Sequence, residues 1–291
     1  MSIRTSIKTV GVIGAGTMGA GIAQTFAQAG RAVLLNDSRP AAAEQAISAI
    51  GQTLAKLVAK GKFPAELADT TQRNLKPAAL PDMPRADLIV EAVFEDARVK
   101  RELFAELNRS VPPDVIFASN TSSISISELA AASGRPAQFI GMHFFNPVPV
   151  MKLVEVVVGL QTAEPVVAAI AALAKELGKT PLRVKDHPGF VSNRVLMPLI
   201  NEAIACRADG VADAETIDQV LVLGCAHTLG PLATADLIGL DVCLHIMDVL
   251  HRDLGEDRYR PHPVLRTMVR AGLLGRKSGR GFFDYTQRSS E

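Results

Sequence analysis

The carboxylate of Glu155 interrupts the run KLVEVVV, in which both faces of a strand would otherwise be apolar. A buried, unpaired carboxylate is strongly destabilising or forced neutral, so this one requires a partner. His143, in IGMHFFN, is the candidate, because the intervening FNPVPVMK can fold two strands side by side. A histidine backed by a carboxylate is held in one tautomer and made more basic, which suits removal of a proton from an alcohol. A second constellation is Gly14-Ala15-Gly16-Thr17-Met18-Gly19, a G-x-G-x-x-G run. It follows one strand-like stretch, opens a helical one and precedes a second strand ending in Asp37, the context of a dinucleotide-binding loop. Gly14 permits the tight turn and Gly16 lets pyrophosphate approach the backbone. Gly19 lets the helix pack closely, and the helix N-terminus offers its N–H groups to phosphate. Asp37 can accept both ribose hydroxyls and would repel a 2′-phosphate, which favours NAD over NADP; Arg39 tempers that preference.

Short apolar runs alternating with helical patterns must position these groups. Strands are expected at Lys8–Gly14, Ala32–Asp37, Asp87–Val93, Val115–Asn120, Phe139–Phe144, Leu153–Val158 and Pro181–Lys185. Helical patterns cover Thr17–Gly30, Pro40–Lys62, Ala97–Arg109 and Glu164–Gly178. This alternation predicts a parallel, doubly wound sheet. From Gly189 the strand signal stops, and helices are expected over Phe190–Ala208, Ala214–Leu223, Leu232–Leu254 and Val264–Gly272. The fold class is therefore α/β, a Rossmann-type doubly wound sheet domain (residues 1–186) followed by an all-α domain (residues 187–291). The helical part is unusually apolar, notably Leu237–Leu250. Either an oligomer interface or the first domain must cover it, and a homodimer is favoured because two-fold dimers are the commonest assembly.

Composition narrows the function. Lys and Arg number 31 against 30 Asp and Glu, so the nucleic-acid footprint of a basic excess is missing. Cys206, Cys225 and Cys243 fit neither a disulfide framework nor a metal site, as expected of a cytoplasmic protein without structural metal. The charge-free stretch between Lys8 and Arg31 carries too many glycine and polar residues for a membrane helix.

SNTSS (119–123), MHFFNPVPVMKLVEVV (142–157), KDHPGFVSNR (185–194) and GRKSGRGFFDY (275–285) resemble the short-chain L-3-hydroxyacyl-CoA dehydrogenases, the bacterial 3-hydroxybutyryl-CoA type above all. The resemblance spans essentially the whole chain. It implies an NAD-dependent oxidoreductase of fatty-acid metabolism whose helical domain dimerises. It also implies roles. His143 resembles the catalytic base and Glu155 its orienting carboxylate. Ser122 resembles the hydroxyl that contacts the substrate oxygen near the nicotinamide, and Asn193 the amide that polarises that oxygen. Glu95, Lys100, Asn120, Asn146 and Lys277 match positions around NAD, beside the loop Gly14, Ala15, Gly16, Thr17, Met18 and Gly19 and Asp37. Thr53 and Lys60 match positions that hold coenzyme A, with Lys56 one turn earlier on the same face.

Read without the resemblance, Lys56 and Lys60 default to a solvated helix face rather than a phosphate-reading one, and Asn193 is compatible with a capping or polar surface residue. Glu91 and Glu95 stand at the carboxyl end of a strand, where ligands bind in such sheets. The run Leu223–Asp241 departs from the family pattern without touching the dyad. With no hydratase or thiolase segment in the sequence, a stand-alone dehydrogenase is expected. The alternatives are the gulonate dehydrogenase and lambda-crystallin branch, which keeps the dyad, and a dinucleotide-binding protein without catalysis. The 3-hydroxyisobutyrate type needs a lysine base in a glycine-rich helix, which is missing from this sequence.

Overall fold

The computed structural model describes residues 4–39 and 41–286. The chain divides into two compact units, residues 1–186 and 187–291.

The first unit opens with β1 (Thr9–Ile13), α1 (Thr17–Gln28) and β2 (Ala32–Asn36). Two helices follow, α2 (Ala42–Ala59) and α3 (Ala65–Asn74), leading into β3 (Leu75–Pro77). Then come β4 (Leu88–Glu91), α4 (Ala97–Ser110), β5 (Ile116–Ser119) and α5 (Ile126–Ala132). The unit closes with β6 (Phe139–Phe144), β7 (Leu153–Val158), α6 (Glu164–Glu176) and β8 (Thr180–Lys185). The eight strands form one sheet in the order β3-β2-β1-β4-β5-β6-β7-β8. Only the β6–β7 pairing is antiparallel among the named strands. Every residue of β4 and β5 is buried, as expected of central strands covered by helices on both faces. One face carries Val10, Val12, Val33, Leu35, Val90 and Ala118 into a core with Ile22, Phe26 and Ile47. On the other, Phe104 of α4 packs edge-on against Phe139, ring centroids 4.6 Å apart.

The helical pattern expected over Pro40–Lys62 ends at Ala59, and Pro40 itself lies outside the described residues. Three elements were not expected. Helix α3 and the three-residue β3 fill a stretch without clear periodicity, and β3 makes the sheet one strand wider. Helix α5 is a single short helix capped by Ser125, whose hydroxyl accepts from Glu128 N–H, and by Asp186, which accepts from the N–H groups of Ile126 and Ser127.

The second unit is all helical: α7 (Ser192–Ala208), α8 (Ala214–Cys225), α9 (Pro231–Ile238), α10 (Leu240–Leu254) and α11 (Pro263–Arg270), with short 3-10 turns. The single helix expected over Leu232–Leu254 is two, because Gly239 adopts φ +106° and breaks the ladder between α9 and α10. Met197, Ile200, Ile204, Leu232, Leu240, Met247 and Leu250 form its core. Buried Asp218 caps α9 by accepting from Leu232 and Ala233 N–H, both at 2.8 Å. Among the described residues no helix is long and apolar enough to cross a membrane.

Candidate active site

Strands β1 and β4 are neighbours, and the chain winds outward from them in both directions, β2 and β3 one way and β5 and β6 the other. In open sheets of this kind dinucleotides bind in the crevice beyond the carboxyl ends at that reversal. The three glycines of the β1–α1 turn stand there with separate physical reasons. Gly14 has φ +104°, and a Cβ on it would lie 2.4 Å from the carbonyl oxygen of Ala92. A Cβ on Gly19 would lie 1.7 Å from the Gly14 oxygen, so the start of the helix packs directly on the glycine turn. At Gly16 no protein atom stands within 4 Å of such a Cβ. The turn is thus sealed on two sides and open on the third, a cradle that fits a pyrophosphate. Asp37 follows β2, and its carboxylate accepts the N–H of Ala15 and that of Arg39, each at 2.9 Å. Burial works to raise its pKa, but these two N–H groups and the Arg39 guanidinium prevail and lower it.

The dyad is formed. His143 on β6 is the register partner of Glu155 on β7. Its Nδ1 stands 2.7 Å from Oε2 of Glu155, with both residues buried. Two side chains directly opposite on an antiparallel pair meet with little conformational freedom left to lose. The link between the strands is fixed from beneath by buried Lys179, whose Nζ donates to the carbonyls of Val148 and Met151. Asn146 lies in that link, preceding the cis peptide bond to Pro147. Asn120, just beyond β5, accepts the N–H of Phe144 at 2.9 Å and so ties the end of β5 to the strand that carries His143.

At the end of β4, with β5 between it and the dyad strand, lies an ionic cluster. Lys100 is 1% exposed, and its Nζ stands 2.8 Å from Glu91 and 2.9 Å from Glu95. Glu91, fully buried, also accepts the Val93 N–H at 2.7 Å and the Ser119 hydroxyl at 2.6 Å. Oε1 of Glu95 gathers the turn after β5. It accepts from the Thr121 hydroxyl at 2.5 Å, from Ser122 N–H at 2.9 Å and from the Ser123 N–H and hydroxyl. Burial alone would raise the Glu95 pKa, yet the Lys100 ammonium and these donors hold it down at about 2. Burial likewise opposes the charge on Lys100, and the two carboxylates overcome it, raising its pKa. Glu95 therefore fixes the backbone that presents Ser122, while Lys100 reaches that backbone through Glu95.

The first unit thus brings together the glycine turn, Asp37, Glu95, Lys100, Asn120, Ser122, Asn146, His143 and Glu155 along the carboxyl edge of one sheet. Thr53, Lys56 and Lys60 lie on exposed positions of α2 or at its C-terminal end; the Thr53 hydroxyl donates back to the Ala49 carbonyl. Asn193 and Lys277 belong to the second unit. Asn193 is buried in the first turn of α7, and Lys277 pairs with Asp241 at 2.6 Å. Lys179 carries no signal in the sequence, and Ser119 and Thr121 stand out there only as members of SNTSS. Lys100 enters the sequence analysis through the resemblance, although its spacing to buried Phe104 and Leu107, i, i+4 and i+7, already places it on the inward stripe of α4.

Comparison with known proteins assigns the chain. Residues 9–187 match the family described as 3-hydroxyacyl-CoA dehydrogenase, NAD binding domain, and residues 189–285 match the C-terminal domain of the same family. A Deinococcus radiodurans protein named as a probable 3-hydroxybutyryl-CoA dehydrogenase is 53% identical over 275 residues, spanning 94% of this chain and 99% of its own. The 3-hydroxybutyryl-CoA dehydrogenase of Clostridioides difficile is 47% identical over 277 residues, spanning 95% of this chain and 99% of its own. The crystal structure of the (S)-3-hydroxybutyryl-CoA dehydrogenase from Ralstonia eutropha superposes with a TM-score of 0.92 at 46% identity, covering 97% of this chain and all of that one (100%). A glycine turn at the reversal of a doubly wound sheet agrees with what the matches over both units show: the chain belongs to the NAD-dependent 3-hydroxyacyl-CoA dehydrogenase family.

Proposed function

We propose that the protein interconverts an L-3-hydroxyacyl-CoA and the 3-ketoacyl-CoA, with 3-hydroxybutyryl-CoA, the compound in its relatives' names, as the substrate. The observation that carries this is the 2.7 Å contact between His143 Nδ1 and Glu155. With Nδ1–H donated to the carboxylate, the imidazole is held in the tautomer whose Nε2 carries the lone pair. Nε2 takes the proton of the 3-hydroxyl, and Glu155 stabilises the imidazolium that results. In the reverse direction the same nitrogen returns the proton to the ketone oxygen. The Ser122 hydroxyl and the Asn193 amide donate to that oxygen as charge develops on it. Bound NAD supplies the acceptor for the hydride leaving C3. The Gly14–Gly19 turn and Asp37 hold the adenosine end of the dinucleotide. Glu95 and Asn120 shape its nicotinamide end, with Lys100 acting through Glu95, and Asn146 and Lys277 complete the cofactor contacts. Thr53, Lys56 and Lys60 hold coenzyme A.

On this assignment residues 1–186 are the cofactor domain and residues 187–291 the substrate and dimerisation domain. Val195, Val211, Val220, Leu223 and Leu237 are exposed on the second unit, an apolar surface that a homodimer would cover. The three free cysteines fit a cytoplasmic setting. His143→Gln tests the proposal. Turnover of acetoacetyl-CoA with NADH is expected to fall about a thousandfold with NADH binding retained. Wild-type turnover in that variant would overturn it, and gulonate oxidation exceeding acyl-CoA turnover in the native enzyme would move the chain to the gulonate branch.

A further inference from the structure

The Glu91–Lys100–Glu95 cluster holds more negative charge than positioning Ser122 requires. Lys100 and Glu95 by themselves would balance, and Glu95 alone touches the Ser122 turn. Glu91 adds a second carboxylate on the other side of the same ammonium. Among the described residues, the remaining groups that donate to these two carboxylates are neutral hydroxyls and backbone N–H groups. Burial pushes the Glu91 pKa up, but its two oxygens meet donors, the Lys100 ammonium, the Val93 N–H and the Ser119 hydroxyl, as a carboxylate would. With both carboxylates ionised, two anions around one cation leave one unit of negative charge.

Its place in the sheet gives that charge a target. Glu91 ends β4, with Ile13 of β1 as its register partner on one side and Ser119 of β5 on the other. Gly14 follows Ile13, and the residue after Glu91, Ala92, is the one a Gly14 side chain would strike. The cluster thus stands at the carboxyl ends of β4 and β5, where Glu95 and Asn120 shape the nicotinamide end in the scheme above. The oxidised nicotinamide ring is cationic and the reduced ring neutral. A fixed anion in a region of low dielectric discriminates between them, whereas hydrogen bonds to ribose or phosphate do not.

Resting on the NAD assignment above, we propose that Glu91 makes this cluster a redox-poising element, whose net negative charge strengthens binding of oxidised relative to reduced nicotinamide cofactor. Glu91 touches neither substrate nor cofactor in this scheme; it acts through the field of the cluster and through Lys100.

The test is the ratio of two dissociation constants, NAD over NADH, with NADH measured by its fluorescence and NAD by competition. Glu91→Gln keeps an acceptor for Lys100 and for Val93 N–H while deleting the surplus charge. For a unit charge about 10 Å away at an effective dielectric of about 20, the ratio is expected to rise about tenfold, with NADH affinity unchanged. Ser119→Ala, which removes a partner of Glu91 without changing charge, is expected to leave the ratio where it is. Glu95→Gln, neutralising the cluster from its outer end, has to move the ratio in the same direction, and it decides the matter if Glu91→Gln does not fold. An unchanged ratio in a folded charge variant overturns the proposal. So does an equal loss of both affinities, which would mark Glu91 as structural. A native protein that binds neither form would instead defeat the NAD assignment itself, and the poising role with it.

Discussion

Glu155 and Glu91 are both strand glutamates with almost no exposed surface, and each is paired with a basic side chain across a contact below 3 Å. They differ in what they face. Glu155 meets the imidazole that takes up and returns a proton in the proposed reaction. Glu91 meets an ammonium held between two carboxylates, which raise the lysine pKa, while burial raises that of Glu91 itself. One carboxylate is therefore coupled to a proton that can move, and the other to a charge that cannot. The same burial that would be ruinous for either alone serves two purposes. In the proposed reaction the first steadies a transient cation, and the second sets a permanent field and a rigid turn.

That contrast can be broken at either end. The largest effect is expected from Lys100→Met, which leaves Glu91 and Glu95 facing each other without a cation. Breaking a buried pair in this way costs about 3–5 kcal/mol, read as a lowered denaturant midpoint. A midpoint equal to the native one would show that the cluster is not ionised. Next is Glu155→Gln, which preserves an oxygen for His143 Nδ1–H but removes the charge that steadies the imidazolium. Here kcat is expected to drop about a hundredfold while stability and NADH affinity hold. A comparable loss of stability would erase the distinction between the two clusters. The smallest effect is an acid limb. The Glu95 pKa falls from an ordinary 4.5 to about 2 on folding, so the unfolded chain takes up the proton first. The stability that Glu95 contributes is complete above about pH 4.5 and is lost as pH falls toward about 2. Urea titrations across that interval should show a shallower acid loss in Glu95→Gln than in the native protein.

The sheet could be read from the sequence wherever a strand is a β-branched or apolar run long enough to stand out, as in KTVGVIG or KLVEVVV. β3 could not, because three residues ending in Pro77 carry no periodicity and owe their strand state to pairing with β2. The α9–α10 break was equally hidden. Gly239 sits in an apolar stretch whose helical spacing continues through it, and only its positive φ ends the first helix. Within the site, the dyad announced itself as a charge inside an apolar strand. The Lys100 cluster did not: the spacing of Lys100 to Phe104 and Leu107 puts it on the inward stripe of α4, but nothing in ARVKRELFAEL says which carboxylates of the sheet it meets there. Asn193 and Lys277 carry no local signal beyond the family motifs, because their meaning depends on elements far away in sequence.

In the proposed scheme the Asp37 carboxylate receives the ribose, and in the structure it also accepts the N–H of Ala15 inside the glycine turn. Preference for one dinucleotide and the shape of the phosphate cradle therefore share a single side chain. Retargeting this enzyme toward the phosphorylated cofactor by exchanging Asp37 alone would strip the turn of an acceptor it relies on. A workable redesign has to furnish Ala15 with a substitute oxygen at the same time as it adds a cation.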